Sequence, residues 1–260
     1  MTQTKMLNFA IQTAKGAGAI LMEHFGKISS YEHKSTPIDL LTIADTQSEA
    51  FILNEIKTTF PDHHIIAEES AVVENNSDYR WVIDPLDGTT NFVHSLPIFA
   101  VSIGLQYKEE TIVAVVYNPA ADKCFWAEKN GGAFLNGKPL KVSRQKKLKG
   151  AFIAVADWYC FKQQKHISLF NALNKEAGIV RTYPDAFGHL MAICGTADVM
   201  VDPLAKIWDY APCKVLAQEA GGKFANFTGN RASIEEGTAI VGNANIVKEV
   251  RKIFSKKATK

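Results

Sequence analysis

Residues 81–92 read WVIDPLDGTTNF. An apolar run of the kind that forms a buried strand ends in two aspartates, Asp84 and Asp87, with Pro85 and Leu86 between them. One Asp-Gly is enough for a turn, so the second acid needs another purpose. If the two carboxylates converge with others, their repulsion raises pKa values or recruits a cation. Oxygen donors without a cysteine pair or histidine cluster select a hard ion, Mg²⁺ ahead of Mn²⁺. Pro85 stiffens the turn, the Leu86 carbonyl offers a further ligand atom, and Gly88 lets a ligand approach the backbone. Thr89 and Thr90 open a predicted helix whose first N–H groups suit an anion. Metal ions beside such groups make a phosphate site.

Three other acid-bearing stretches extend the pattern: Asp45 in LLTIADTQSE, Glu68 and Glu69 in IIAEES, and Asp209 in IWDYAP. Glu68, like Asp84, follows an apolar strand and should emerge where a sheet ends. Asp209 follows Ile207 and Trp208 at the start of a helical run. Taken singly, each has a structural use as a turn residue or helix cap.

Composition narrows the class. The chain has 260 residues, 47% hydrophobic and 22% charged, enough for a large core and compatible with one large domain or two small ones. Its 29 basic and 27 acidic side chains leave a net charge of +2, too weak a field to hold nucleic acid or an anionic membrane. The one basic stretch, KVSRQKKLKG at 141–150, reads as a solvated loop or strand end. Cys124, Cys160, Cys194 and Cys213 are scattered and suggest neither a disulfide framework nor a zinc site. Near the N-terminus, Leu7, Ala10, Ile11, Ala14, Ala17 and Leu21 recur at helical spacing and Lys15 splits the apolar run. That predicts an amphipathic helix rather than a signal peptide. No apolar run approaches the roughly 20 residues of a membrane span, and a cytoplasmic protein is expected.

The first part of the chain reads as two helices, the second from about Thr42 to Phe60, followed by an antiparallel-rich sheet. Its strands are HIIAEE, RWVID, FAVSIGLQY, TIVAVVYNP and the run after Lys123, with Asn-Gly turn signals at 130 and 136. The second part alternates strands with helices. One helix is expected over FKQQKHISLFNALNKEAG (161–178), one over 185–195, and one over 208–222 closed by glycine. No linker separates the parts, so a single layered unit over 1–260 is expected, with two lobes of approximately 1–145 and 146–260.

WVIDPLDGTTNFVH, with AEES upstream and WDYAPCKVLAQEAGG downstream, resembles the inositol monophosphatase family of Mg²⁺-dependent phosphatases. HKSTPIDLLTIAD at 33–45 is similar to the family's N-terminal lysine and Asp-x-x-Thr-x-x-Asp region. Three motifs in order across nearly the whole chain make the resemblance specific. It implies an α/β fold of the α+β kind, a layered α-β-α-β-α sandwich. It implies one Mg²⁺ on Glu68, Asp84 and the Leu86 carbonyl, and a second on Asp84, Asp87 and Asp209. A third, weaker ion would also use Glu68. Gly88 and Thr89, with Thr90 behind them, would face phosphate, and Asp45, Thr89 and Glu68 would orient the attacking water. Lithium inhibition and a homodimer are implied in the same way.

The substrate is less legible. Asp202 stands where inositol-preferring members often carry a substrate-contacting glutamate. RTYPDAFGHLMAICGTADVMVDPLAKIWDYAP (181–212) is also similar to the histidinol-phosphatase branch. Asp185 then either binds an amine or hydroxyl of the substrate or caps a helix over Ala186–Cys194. His189 reads as a packed core histidine. Lys34 and Glu69 are expected to back the ligands, and Asp39 to steady its loop. The expected activity is hydrolysis of a small polyol phosphomonoester, myo-inositol monophosphate first and histidinol phosphate second. Fructose 1,6-bisphosphate and nucleotide phosphates trail. A non-catalytic binding or regulatory protein on the same fold is the alternative of another class.

Overall fold

The structure, a computed structural model, describes residues 3–34, 40–70, 72–228 and 232–258. The chain divides into two compact units, Met1–Lys138 and Pro139–Lys260. The first unit contains α1 (Gln3–His24), the short pair β1 (Glu32–His33) and β2 (Leu40–Leu41), then α2 (Ile43–Thr59), β3 (His64–Ala67), β4 (Tyr79–Asp87) and α3 (Thr89–Val93). It continues through β5 (Ala100–Tyr107), β6 (Glu110–Asn118), β7 (Lys123–Glu128) and β8 (Gly132–Leu135), and β9 (Lys138–Pro139) falls at the boundary between the units. Its main sheet has the order β3-β4-β5-β6-β7-β8-β9. β3 runs parallel to β4, and the pairs from β4 through β8 are antiparallel.

α2 places the polar chemistry on top of an apolar base. Thr42 caps its N-terminus: the Thr42 hydroxyl accepts the Ala44 N–H, and the Asp45 carboxylate accepts the Thr42 N–H at 2.8 Å. Its buried stripe runs Ala44, Ser48, Ile52, Ile56, at the spacing of four that keeps residues on one helix face. Ile52 and Ile56 join the first unit's core with Trp81 and Ile83 from β4, each such burial contributing about 1.5–3 kcal/mol. The upper half of the same face is polar, with Asp45, Ser48 and Glu49 all buried.

β4 repeats this polarity. Trp81, Val82 and Ile83 are fully buried, and the strand then delivers Asp84 and Asp87. The expected turn after Asp84 is corrected here: β4 continues to Asp87, with a register shift against β5 between the two acids. Pro85 has no N–H to give a ladder, and such irregularities are where a strand accommodates proline.

The second unit holds β10 (Phe152–Val155), α4 (Trp158–Gln163), α5 (Ile167–Glu176), β11 (Ile179–Thr182), α6 (Asp185–Ile193) and β12 (Val199–Asp202). After these come α7 (Ile207–Glu219), β13 (Lys223–Ala225), β14 (Ala239–Gly242) and α8 (Ala244–Ala258). Its sheet has the order β11-β10-β12-β14-β13, with β10 parallel to both neighbours and β14 antiparallel to both of its own. Every residue of β12 and β14 is buried, so both faces of the sheet centre are covered. The single helix expected over 161–178 is two. Asp157 caps α4 by accepting the Cys160 N–H, and Lys165 at φ 60 turns the chain before α5. The His166 N–H returns to the Phe161 carbonyl at 2.7 Å, closing that turn.

Candidate functional site

In the first unit, the polar ends of α2 and β4 meet. The Ser48 hydroxyl donates to the Pro85 carbonyl at 2.9 Å, fixing the irregular stretch of β4 against the helix. The Leu86 N–H donates to Asp84 Oδ1 at 2.9 Å, within the irregular stretch of the strand. Asp84 and Asp87 are 2% and 6% exposed, and each puts a carboxylate oxygen within 4.8 Å of the other's. Carboxylates so close repel one another unless one is protonated or a cation lies between them, and their oxygen-only chemistry fits a hard divalent cation.

Gly88 follows with φ 84, in the left-handed region. A Cβ there would also press on the Ile98 carbonyl oxygen at 3.0 Å, so backbone angle and space both call for glycine. α3 starts at Thr89. The Thr89 hydroxyl lies 3.1 Å from Asp45 Oδ1 and 3.0 Å from the Leu86 carbonyl, and its single proton serves one of these acceptors at a time. The other Asp45 oxygen accepts the Thr42 hydroxyl at 2.6 Å. Burial pushes the Asp45 carboxyl above the ordinary aspartate range, and the Thr42 and Thr89 hydrogen bonds pull it partly back.

β3 brings Glu68 alongside, its N–H bonded to the Ile83 carbonyl at 3.2 Å, in line with the β3–β4 pairing. Lys34 bridges Glu68 at 2.7 Å and Glu69 at 2.8 Å. Burial opposes charge on this ammonium, but the two carboxylates outweigh it and raise its pKa. Burial likewise pushes Glu69 up to about 7, against the pull of Lys34. Buried Glu49 accepts the Glu69 N–H at 2.9 Å. Lys34 thus joins Glu68 to Glu69. Asp39 lies outside the described residues.

The remaining candidates belong to the second unit. Asp209 is the third residue of α7, and one carboxylate oxygen accepts the Lys206 N–H at 2.7 Å, so it caps its own helix. Asp185 is not the helix cap: Pro184 holds that position, and Asp185 opens α6 with φ 62, a conformation costly for a non-glycine residue. Asp202 sits at the end of β12 with its carboxylate inside the fold. It is 4% exposed, Oδ1 accepts the Leu204 N–H at 3.0 Å, and Oδ2 pairs with His189 Nε2 at 3.0 Å. An aspartate, one methylene shorter than glutamate, ends at these internal partners. His189 is buried as expected, but by pairing with a carboxylate as well as by packing.

Sequence reasoning passed over Ser48 and Glu49. Their signal was present: polar residues at 45, 48 and 49 share the face of α2 that carries Ile52 and Ile56.

No helix among the described residues is long and apolar enough to cross a membrane. The sequence profile of the inositol monophosphatase family matches residues 2–256. Nus factor SuhB of Escherichia coli is 35% identical over 250 residues, covering 94% of this chain and 93% of that protein. An inositol-1-monophosphatase of Rhizobium meliloti is 31% identical over 261 residues, covering 98% of each. The crystal structure of extragenic suppressor protein suhB from Bartonella henselae superposes with a TM-score of 0.90 at 29% identity, covering 97% of this chain and 99% of that one. The α/β fold expected from the motifs is therefore the fold of these relatives, and the chain belongs to the inositol monophosphatase family.

Proposed function

We propose that the protein is a Mg²⁺-dependent phosphomonoesterase for a small polyol phosphate, with myo-inositol monophosphate as its first substrate. The observation that carries this reading is the meeting of Asp84, Asp87 and the Leu86 carbonyl with the Thr89–Asp45 hydrogen bond at the end of one strand. Glu68, Asp84 and the Leu86 carbonyl would hold one Mg²⁺, Asp84, Asp87 and Asp209 a second, and Glu68 would share in a third, weaker site. When bound, Mg²⁺ neutralises phosphoryl oxygens and lowers the pKa of water.

The chain's own residues supply the positioning. Backbone N–H groups at Gly88 and Thr89, with Thr90 beside them, receive the phosphate. The Thr89 hydroxyl, aimed by Asp45 and assisted by Glu68, aligns the attacking water opposite the leaving oxygen. Burial makes Asp45 a better proton acceptor than an ordinary aspartate, which suits a base reached through a hydroxyl. Transfer goes directly to water, and a pre-steady-state burst with trapped phosphoprotein would overturn this step. Lithium inhibition and a homodimer belong to the same proposal, the dimer being testable by sedimentation.

The test is phosphate release from inositol 1-phosphate, histidinol phosphate, fructose 1,6-bisphosphate and phosphoadenosine phosphate, with Mg²⁺, with EDTA, and with Asp87→Asn. Mg²⁺-dependent release that the variant loses supports the site, and the order of rates names the substrate. Asp185 is the residue proposed to face an amine or hydroxyl of that substrate, since backbone strain of its kind clusters at functional sites.

The name Nus factor on 35% identical relatives favours a second reading, a binding or regulatory role on the same fold. A folded protein that binds Mg²⁺ and leaves the whole panel untouched would favour it.

A further inference from the structure

The second unit contains a buried polar brace that the proposed chemistry does not use. α6 is an apolar helix whose buried face includes Ala186, Leu190, Ala192 and Ile193, yet it also carries His189, 1% exposed. His189 Nε2 lies 3.0 Å from Asp202 Oδ2, which requires the ring proton on Nε2 toward the carboxylate. Nδ1 is buried with no hydrogen-bond partner among the described residues. An apolar residue would fill this position without burying a polar ring, so packing alone does not account for the histidine.

The far end of the brace lies on one short connection. β12 ends at Asp202 and α7 begins at Ile207, leaving only residues 203–206 between them. Asp202 Oδ1 holds the Leu204 N–H at 3.0 Å, and the Ala205 N–H reaches the Gly237 carbonyl at 3.4 Å. Fully buried Tyr210, from the first turn of α7, packs edge-on to His189 at 5.8 Å between ring centres. Its hydroxyl lies 3.5 Å from the Asp202 carbonyl and 3.4 Å from that of Gly237. The connection ends at Lys206, whose N–H is held by Asp209.

We infer that His189 is a positioning residue: through Asp202 it fixes the 203–206 connection and thereby the place and direction of the Asp209 carboxylate. The inference rests on the reading of Asp209 as a metal ligand. His189 touches neither metal nor substrate. Groups that orient a ligand from behind typically change metal affinity by about 10–100-fold when removed.

The experiment measures Mn²⁺ binding to the whole protein by the electron paramagnetic resonance signal of the free ion. It compares wild type with His189→Leu, His189→Gln, Asp202→Asn and Asp209→Asn. His189→Leu should weaken Mn²⁺ binding about tenfold, and raise the Mg²⁺ requirement of turnover with KM for substrate unchanged. His189→Gln, which can still offer an N–H to Asp202, should restore most of the affinity, a rescue that loss of packing alone would not give. Should His189→Leu fail to fold, Asp202→Asn keeps an oxygen for Leu204 but cannot accept the His189 proton, and should weaken binding likewise. If Asp209→Asn loosens Mn²⁺ while folded His189 and Asp202 variants bind as wild type does, the inference is overturned and the proposed function stands. If Asp209→Asn also binds normally, the assignment of Asp209 itself fails, and this inference with it.

Discussion

Thr89 and Asp45, 44 residues apart, share a 3.1 Å hydrogen bond that ties the first turn of α3 to the first turn of α2. Asp45 also receives the Thr42 N–H and hydroxyl, so one buried carboxylate both caps a helix and directs the Thr89 hydroxyl. Removing the hydroxyl with Thr89→Val should lower kcat by about 10²–10⁴-fold, with Thr89→Ser retaining most of it. Equal activity in the two variants would remove Thr89 from the reaction.

Asp45→Asn should separate stability from activity. Burial raises the Asp45 carboxyl in the folded chain, so the folded state binds its proton more tightly than the unfolded state. Stability from this group is then present at acid pH and is lost as pH rises from the ordinary aspartate range through the raised value. Asparagine keeps an oxygen for Thr42 and removes the buried charge. The variant should lose turnover at neutral pH while melting no lower than wild type, and a clearly lower melting temperature would contradict this balance.

His63 and His166 give an opposite pH dependence. Burial lowers both below the usual 6.5. At these two sites the unfolded chain therefore takes up protons at higher pH than the folded chain, and their contribution to stability should decline as pH falls through about 6.5. His166 packs against Phe227 and Phe254, with ring centres at 5.1 and 5.4 Å, so His166→Phe should flatten the decline. Melting curves of wild type and His166→Phe from pH 8 to pH 5 test this; the same slope in both would refute it.

In α6, Gly188 has no room for a side chain. A Cβ there would collide with the Tyr183 carbonyl oxygen and press on Met200 Sδ at 2.9 Å. Gly188→Ala should destabilise by about 1–3 kcal/mol or more, as overpacked core positions do. Chemical denaturation would measure it, and a neutral result would mean that α6 can shift away from β12.

At the start of the same helix, Asp185 holds φ 62. Asparagine tolerates that conformation and β-branched residues do not. Asp185→Asn should leave the melting temperature in place and change KM across the phosphate-ester panel. Asp185→Val should lower the melting temperature as well. Unchanged KM in Asp185→Asn would remove this residue from substrate recognition.

How far the site could be read from sequence depended on whether its signal was local. WVIDPLDGTT displays the acids, the proline and the glycine within ten positions, and apolar patterning marked most strands and helices around it. The break between α4 and α5 escaped because Lys165 in a left-handed conformation has no compositional marker. The continuation of β4 through Pro85 escaped because proline ordinarily ends a strand, and only the pairing with β5 carries it onward to Asp87.

The sequence by itself determined the donor chemistry, the order of the motifs and the family, since these depend on which residues are present and how they are spaced. Tertiary structure decided what each side chain does with its polar atoms. Asp202 has no partner legible in the sequence, and in the fold it is held by His189 and Leu204. Ser48 and Glu49 looked like ordinary helix polars and instead anchor Pro85 and Glu69. A hydrogen bond spans about 3 Å in space whatever the separation along the chain, so its partners appear only once the chain is folded.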